Sequence, residues 1–174
     1  GEPNDHHGSR LTPVVTAGET YFIVVDGYDG RGGPFALSVT PPTGGATITA
    51  TPATTPTAPT STPSPGVSAC DVPVTIPAAG GIVTGTTSGP STLAGTCATS
   101  NNAPEQVYQW TPASSGTATI ATCGPTTLFD TVVYLRSGGC QSGTQIACND
   151  DTPGCGTGEP NDHHGSRLTP VVTA

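Results

Sequence analysis

The sequence predicts an antiparallel β-sandwich of the secreted, disulfide-stapled kind, and three observations carry that prediction. Short runs rich in β-branched and aromatic residues recur along the chain, separated by Gly, Pro, Asn and Asp clusters. No window shows the apolar spacing and caps of an amphipathic helix, so many short strands at near-regular intervals are left to form packed sheets. Six cysteines supplement a thin core. Only 29 of the 174 residues are Leu, Ile, Val or Phe, and with a net charge of -8 that composition alone would lean towards disorder.

Taken in order, the expected strands are TYFIVVDGY (20–28), FALSV (35–39), VPVTI (72–76), EQVYQW (105–110), TATIATC (117–123), FDTVVYLR (129–136) and TQIAC (144–148). In the fourth, Tyr108 and Trp110 alternate onto one face, the pattern of a buried core pair rather than a sugar-stacking platform. The glycines at 27, 30, 32 and 33 read as a turn between two strands, with no helix to receive a phosphate.

An exact repeat frames these elements. GEPNDHHGSRLTPVVTA at residues 1–17 recurs letter for letter at 158–174, a period of 157 residues. The sequence therefore reads as one full period and the start of the next in a tandem-repeat polyprotein. On that reading, residues 1–40 are the C-terminal part of one sandwich repeat, 41–67 a linker, and 68–174 the N-terminal part of the next repeat. The 26 residues from Thr40 to Pro65 comprise 10 Thr, 7 Pro, 4 Ala, 2 Ser, 2 Gly and Ile48. Such a segment cannot bury a core; its prolines bias it to polyproline II, spanning up to ~80 Å at ~3.1 Å per residue. Thr/Pro-rich stalks are also the usual substrate for O-glycosylation, here at Thr43, Thr47, Thr49, Thr51, Thr54, Thr55, Thr57, Thr60, Ser61, Thr62 and Ser64.

The even cysteine count, the lack of a CxxC pair and the spacings of 27, 26, 17, 8 and 7 residues favour disulfides over zinc ligation. Disulfides place the chain outside the cytosol, as an extracellular or cell-surface protein. Fifteen pairings are open to six cysteines. Locality favours Cys140 with Cys148 across a hairpin, with Cys70–Cys97 and Cys123–Cys155 as the companion expectations.

The run TIATCG-x(4)-FDTVVYLRSGGC-x(7)-CNDD, followed by SRLTPVVTAGETYFIVVDGY and GPFALSV, resembles the bacterial pre-peptidase C-terminal domain over about 130 of the 157 residues of a period. The resemblance implies a jelly-roll-like β-sandwich, a non-enzymatic module found beside secreted hydrolases and in repeated surface proteins. The long Thr/Pro linker and the exact repetition depart from that pattern and point to a structural fibre.

Chemistry-bearing constellations are few. No GxSxG elbow occurs, and no catalytic residue or enzymatic activity is expected. His6, His7 and their copies His163 and His164 are one loop counted twice, and adjacent side chains in extended backbone point to opposite faces. Asn149, Asp150 and Asp151, followed by Glu159, Asn161 and Asp162, form a dense set of hard oxygen donors of the sort that binds calcium, although Asn and Asp also simply favour turns. Asp26 and Asp29 either approach that set, as strand pairing in the family would imply, or shape a hairpin turn.

Four Arg, no Lys and 12 acidic residues exclude nucleic acid and anionic lipid as charge-driven partners. No run approaches the roughly 20 apolar residues of a membrane helix. The function expected is therefore a structural repeat unit of an extracellular filament carrying covalent O-glycans, with calcium as the candidate ion and neighbouring copies of itself as partners. Those neighbours are expected to complete one another by strand exchange. The alternative is a carbohydrate- or protein-binding accessory module of a secreted hydrolase or adhesin.

Overall fold

The computed structural model describes residues 14–43, 68–158, 166–168 and 171–173. It is an all-β sandwich of two main sheets with one 3-10 turn, Ala69–Asp71. The strands are β1 (Val14–Thr16), β2 (Tyr21–Gly27), β3 (Pro34–Thr40), β4 (Val74–Ile76), β5 (Gly81–Thr86), β6 (Gln106–Trp110), β7 (Thr119–Ala121), β8 (Thr131–Ser137), β9 (Thr144–Asn149), β10 (Arg167–Leu168) and β11 (Val171–Thr173). One sheet runs β4-β6-β2-β8-β9 and the other β10-β7-β3-β5, while β1 and β11 pair apart from both. Pairing is antiparallel throughout the two main sheets except for β4 against β6, and β1 with β11 is also parallel.

All seven expected strands form, with ends shifted by at most two residues. The sequence reading missed the short strands β1, β10 and β11, and it missed β5, whose GIVTGT has two glycines. Gly85 is required there because a Cβ on it would sit 2.4 Å from the Tyr108 hydroxyl and 2.7 Å from Phe35. The strand is thus glycine-containing because the two sheets approach each other closely at that point.

Alternation along each strand builds the core. Tyr21, Ile23 and Val25 of β2, Phe35, Leu37 and Val39 of β3, and Val133 and Leu135 of β8 face inward between the sheets. Tyr108 and Trp110 join them fully buried, as their alternation predicted. Phe35 meets Tyr108 and Phe129 edge to face, with ring centroids 6.2 and 6.3 Å apart.

The opposite face of β2, β6 and β8 carries a second apolar layer of Val24, Val107, Val132 and Tyr134, covered by Ala69, Leu93, Cys140 and Cys148. The 3-10 turn and the segment between β5 and β6 thus roof the five-stranded sheet. Two disulfides fasten that roof: Cys70–Cys140 and Cys97–Cys148.

These two pairings correct the expected Cys140–Cys148 and Cys70–Cys97 bonds, whereas Cys123–Cys155 forms as expected. The reason is strand register. Cys140 lies in the β8–β9 connection, but Cys148 lies well along β9 opposite Tyr134, with Thr144 opposite Ser137 at the start of the ladder. Four residues of strand at ~3.4 Å each separate Cys148 from the loop end, well beyond the Cα separation of about 7 Å that a disulfide tolerates. The three bonds span 70, 51 and 32 residues, and each stabilises by about 4 kcal/mol through restriction of the unfolded chain. A disulfide-only cysteine set of this kind marks a protein that folds in an oxidising environment.

Candidate functional site

The chemistry-bearing side chains gather at the end of the sandwich where β8 begins and β9 ends. Antiparallel pairing of Val133 with Asn149 brings Asp130, just before β8, beside Asp150 and Asp151, just after β9. One carboxylate oxygen from each of the three lies within 4.8 Å of the others, and they are the metal-capable cluster found among the described residues. Asp130 is buried and the other two are half-buried.

The surrounding backbone is held by a buried hydroxyl network. Thr122 and Thr131 share a 2.7 Å hydrogen bond between their hydroxyls. The Ser166 amide donates to Thr122 Oγ1 at 2.9 Å and to Thr131 Oγ1 at 3.1 Å. The Ser166 hydroxyl donates to the carbonyls of Thr131 and Asp150, tying the segment before β10 to the carboxylate turn. Cys123–Cys155 closes the same end.

Of the six residues expected to bind a cation, the structure brings Asp150 and Asp151 together and assigns Asn149 to the turn itself. Asn149 Oδ1 accepts from Thr152 Oγ1 at 2.8 Å and from the Arg167 amide at 2.9 Å, and its Nδ2 donates to the Asp151 carbonyl. It shapes the loop and fastens β10. Glu159, Asn161 and Asp162 lie outside the described residues, as do His6, His7, His163 and His164. Sequence reasoning missed Asp130, twenty positions upstream, because only the β8–β9 register makes it a neighbour. The FD step before the strand was the available signal.

Burial, reinforced by the charges of Asp130 and Asp151, pushes the Asp150 carboxyl up to about 7. Its Oδ1 is buried and has no hydrogen-bond partner among the described residues. Three close carboxylates, one of them short of hydrogen bonds, can hold a hard cation such as calcium through oxygen donors, or share protons among themselves.

Asp26 and Asp29 belong elsewhere. Asp29 sits in the β2–β3 turn with φ 47°, its amide donating to Thr99 and the Arg31 amide donating to Tyr28. Asp26 lies fully buried under the roof, where its Oδ1 accepts from the Gly27 amide at 2.8 Å and its Oδ2 from the Tyr134 hydroxyl at 3.3 Å. Burial raises the Asp26 carboxyl to about 8, helped by the nearby Glu105 charge. Burial raises Glu105 likewise, against hydrogen bonds from Thr92 and the Leu93 amide. These two carboxyls are interior acids of the roof, so Asp26 stays apart from the carboxylate cluster, while of the two readings for Asp29 the turn holds.

Among the predicted glycosylation positions, Thr43 is described and exposed just beyond β3; the remaining ten lie outside the described residues. No helix among the described residues is long and apolar enough to cross a membrane. No family model, curated protein or solved structure matches this chain.

Proposed function

We propose that the chain is the structural repeat of an extracellular fibre, in which disulfide-stapled sandwiches alternate with O-glycosylated Thr/Pro linkers. The observation that carries this reading is the letter-perfect 17-residue recurrence at a period of 157. Identical units give identical contacts between successive units, and repeated identical contacts generate a linear or helical array. The charge-free, Pro-rich composition of the linker and the resemblance to a repeated surface module add support.

Calcium at Asp130, Asp150 and Asp151 is part of this proposal, in place of the longer loop set expected from sequence. Extracellular calcium modules bind at about 10⁻⁴ to 10⁻³ M, and an ion there would offset the burial and the neighbouring charges that now raise the Asp150 carboxyl. Thermal unfolding with and without calcium tests it: wild type should gain stability while Asp150→Asn should not.

The fibre itself is tested by cryo-electron microscopy of native material. Regular axial units with sugar density on Thr51, Thr54, Thr55 and Thr57 are the expected result. Isolated particles joined by bare linkers would overturn the fibre and favour a glycan- or protein-binding module, for which glycan-affinity measurements on the chain are the next step.

A further inference from the structure

The strands before and after the Thr/Pro segment do not form separate half-structures. The consecutive strands β2 and β3 cross from one sheet to the other and supply an interior strand of each: β2 lies between β6 and β8, and β3 between β7 and β5. Ile23, Val24, Val25, Phe35 and Leu37 are all at most 1% exposed in that position. Without β2 and β3, residues 68–168 would have a slot through each sheet, flanked by strands that have lost a partner.

Two features make that slot exchangeable. All three disulfides lie between Cys70 and Cys155, so none ties β2 and β3 to the body, and they can leave or arrive without any covalent bond breaking. Moreover, β11 runs parallel and in register beside β1, pairing Val14 with Val171, Val15 with Val172 and Thr16 with Thr173. These are the same residues of two successive periods. The second copy of the sequence that leads into β2 therefore lies one strand spacing, about 4.8 Å, from the first.

We infer that the partner this molecule is built to receive is a second copy of its own repeat, whose β2–β3 segment fills the slots in the two sheets of the 68–168 body, with the β1–β11 pair as the point where one copy hands over to another. This deepens the fibre reading and rests on it for its biological setting. Strand addition at a gap of this kind gives main-chain hydrogen bonds on both sides of the inserted strand, and the alternate apolar side chains give specificity. Segments tethered by a linker of this length act at effective concentrations on the order of mM, so in an array neighbouring copies compete on comparable terms.

The test uses the whole chain. Every native cysteine is disulfide-bonded, so an introduced thiol is the only free one. Ser38 of β3 lies directly opposite Ile82 of β5. One chain carries Ser38→Cys and another Ile82→Cys; the two are mixed at about 1 mM, a concentration matched to the tether. They are co-refolded from denaturant without reductant and treated with a short thiol-to-thiol cross-linker. A control pair combines Ser38→Cys with Thr144→Cys on β9 of the other sheet. Exchange predicts covalent heterodimers at least tenfold more abundant for the first pair than for the control, rising with concentration. Equal yields, or no heterodimer at any concentration while a single chain carrying both substitutions cross-links internally, would overturn the inference. Heterodimers from a protein whose native material shows no axial order would sink the fibre and leave the exchange standing.

Discussion

The two main sheets bury their surfaces differently. The five-stranded sheet is covered on both faces: by its partner sheet inside and outside by the 3-10 turn, the segment between β5 and β6, and two disulfides. Among the described residues, no second apolar layer covers the outer face of the four-stranded sheet. Its outer side shows Thr84, Thr86 and Ile82, the last 73% exposed. A chain with 29 large aliphatic or Phe residues in 174 can fill one sandwich interior. The second layer it adds is small and is held in place by covalent bonds, because its apolar area alone would not offset the entropy of ordering an irregular segment.

The largest expected effect comes from unfastening the roof. Replacing Cys97 and Cys148 together by Ala should cost about 4 kcal/mol in guanidinium unfolding and expose Val107 and Val132. An equal loss without new binding of an apolar dye would mean the roof stays seated without its staple.

Within the interior, Gly85→Ala forces a Cβ to within 2.4 Å of the Tyr108 hydroxyl. Overpacking of that order costs about 1–3 kcal/mol, measurable as a lowered midpoint with an unchanged m-value. A neutral result would show that Tyr108 has room to move, since its hydroxyl has no hydrogen-bond partner among the described residues.

The interior acids predict a pH dependence that separates the roof from the carboxylate cluster. Asp26 is raised to about 8 and Asp150 to about 7 by burial first and neighbouring acids second. A folded-state value above the unfolded one means the folded protein holds the extra proton, so stability is highest near pH 4 and falls as the pH rises through those values. Asp26→Asn should flatten the part of the fall that extends to about pH 8, and Asp150→Asn the part that ends near pH 7. Thermal midpoints between pH 4 and pH 9 decide this. Midpoints that climb over that range in wild type would contradict the assignment.

The smallest effect should come from the bare face. Ile82→Thr, at a side chain 73% exposed on an edge strand, should change stability by no more than about 0.5 kcal/mol. A larger loss in native material than in the isolated chain would mean that another copy covers this face.

Much of this was legible in sequence because it depends on local periodicity. The strands with β-branched runs, the Tyr108 and Trp110 core pair and the glycine-rich β2–β3 turn follow from side chains whose roles are set within a few residues. What could not be read depends on partners distant in the chain. Asp130 joins Asp150 only through the β8–β9 register, and β5 hides behind two glycines, one of them demanded by the opposing sheet. Asp26, for which the sequence left open the acidic cluster or a hairpin turn, lies on the outward face of β2 under the roof.

The sequence by itself determined the class of structure and the bonds that support it: an all-β unit with disulfide-bonded cysteines, carrying an exact 17-residue repeat. Composition and period suffice for these, since they express what each stretch can bury. Only the tertiary structure decided which cysteines meet, which carboxylates gather, and that two consecutive strands complete both sheets, because the first two are fixed by strand register and the last by which strands become neighbours across a gap in the chain.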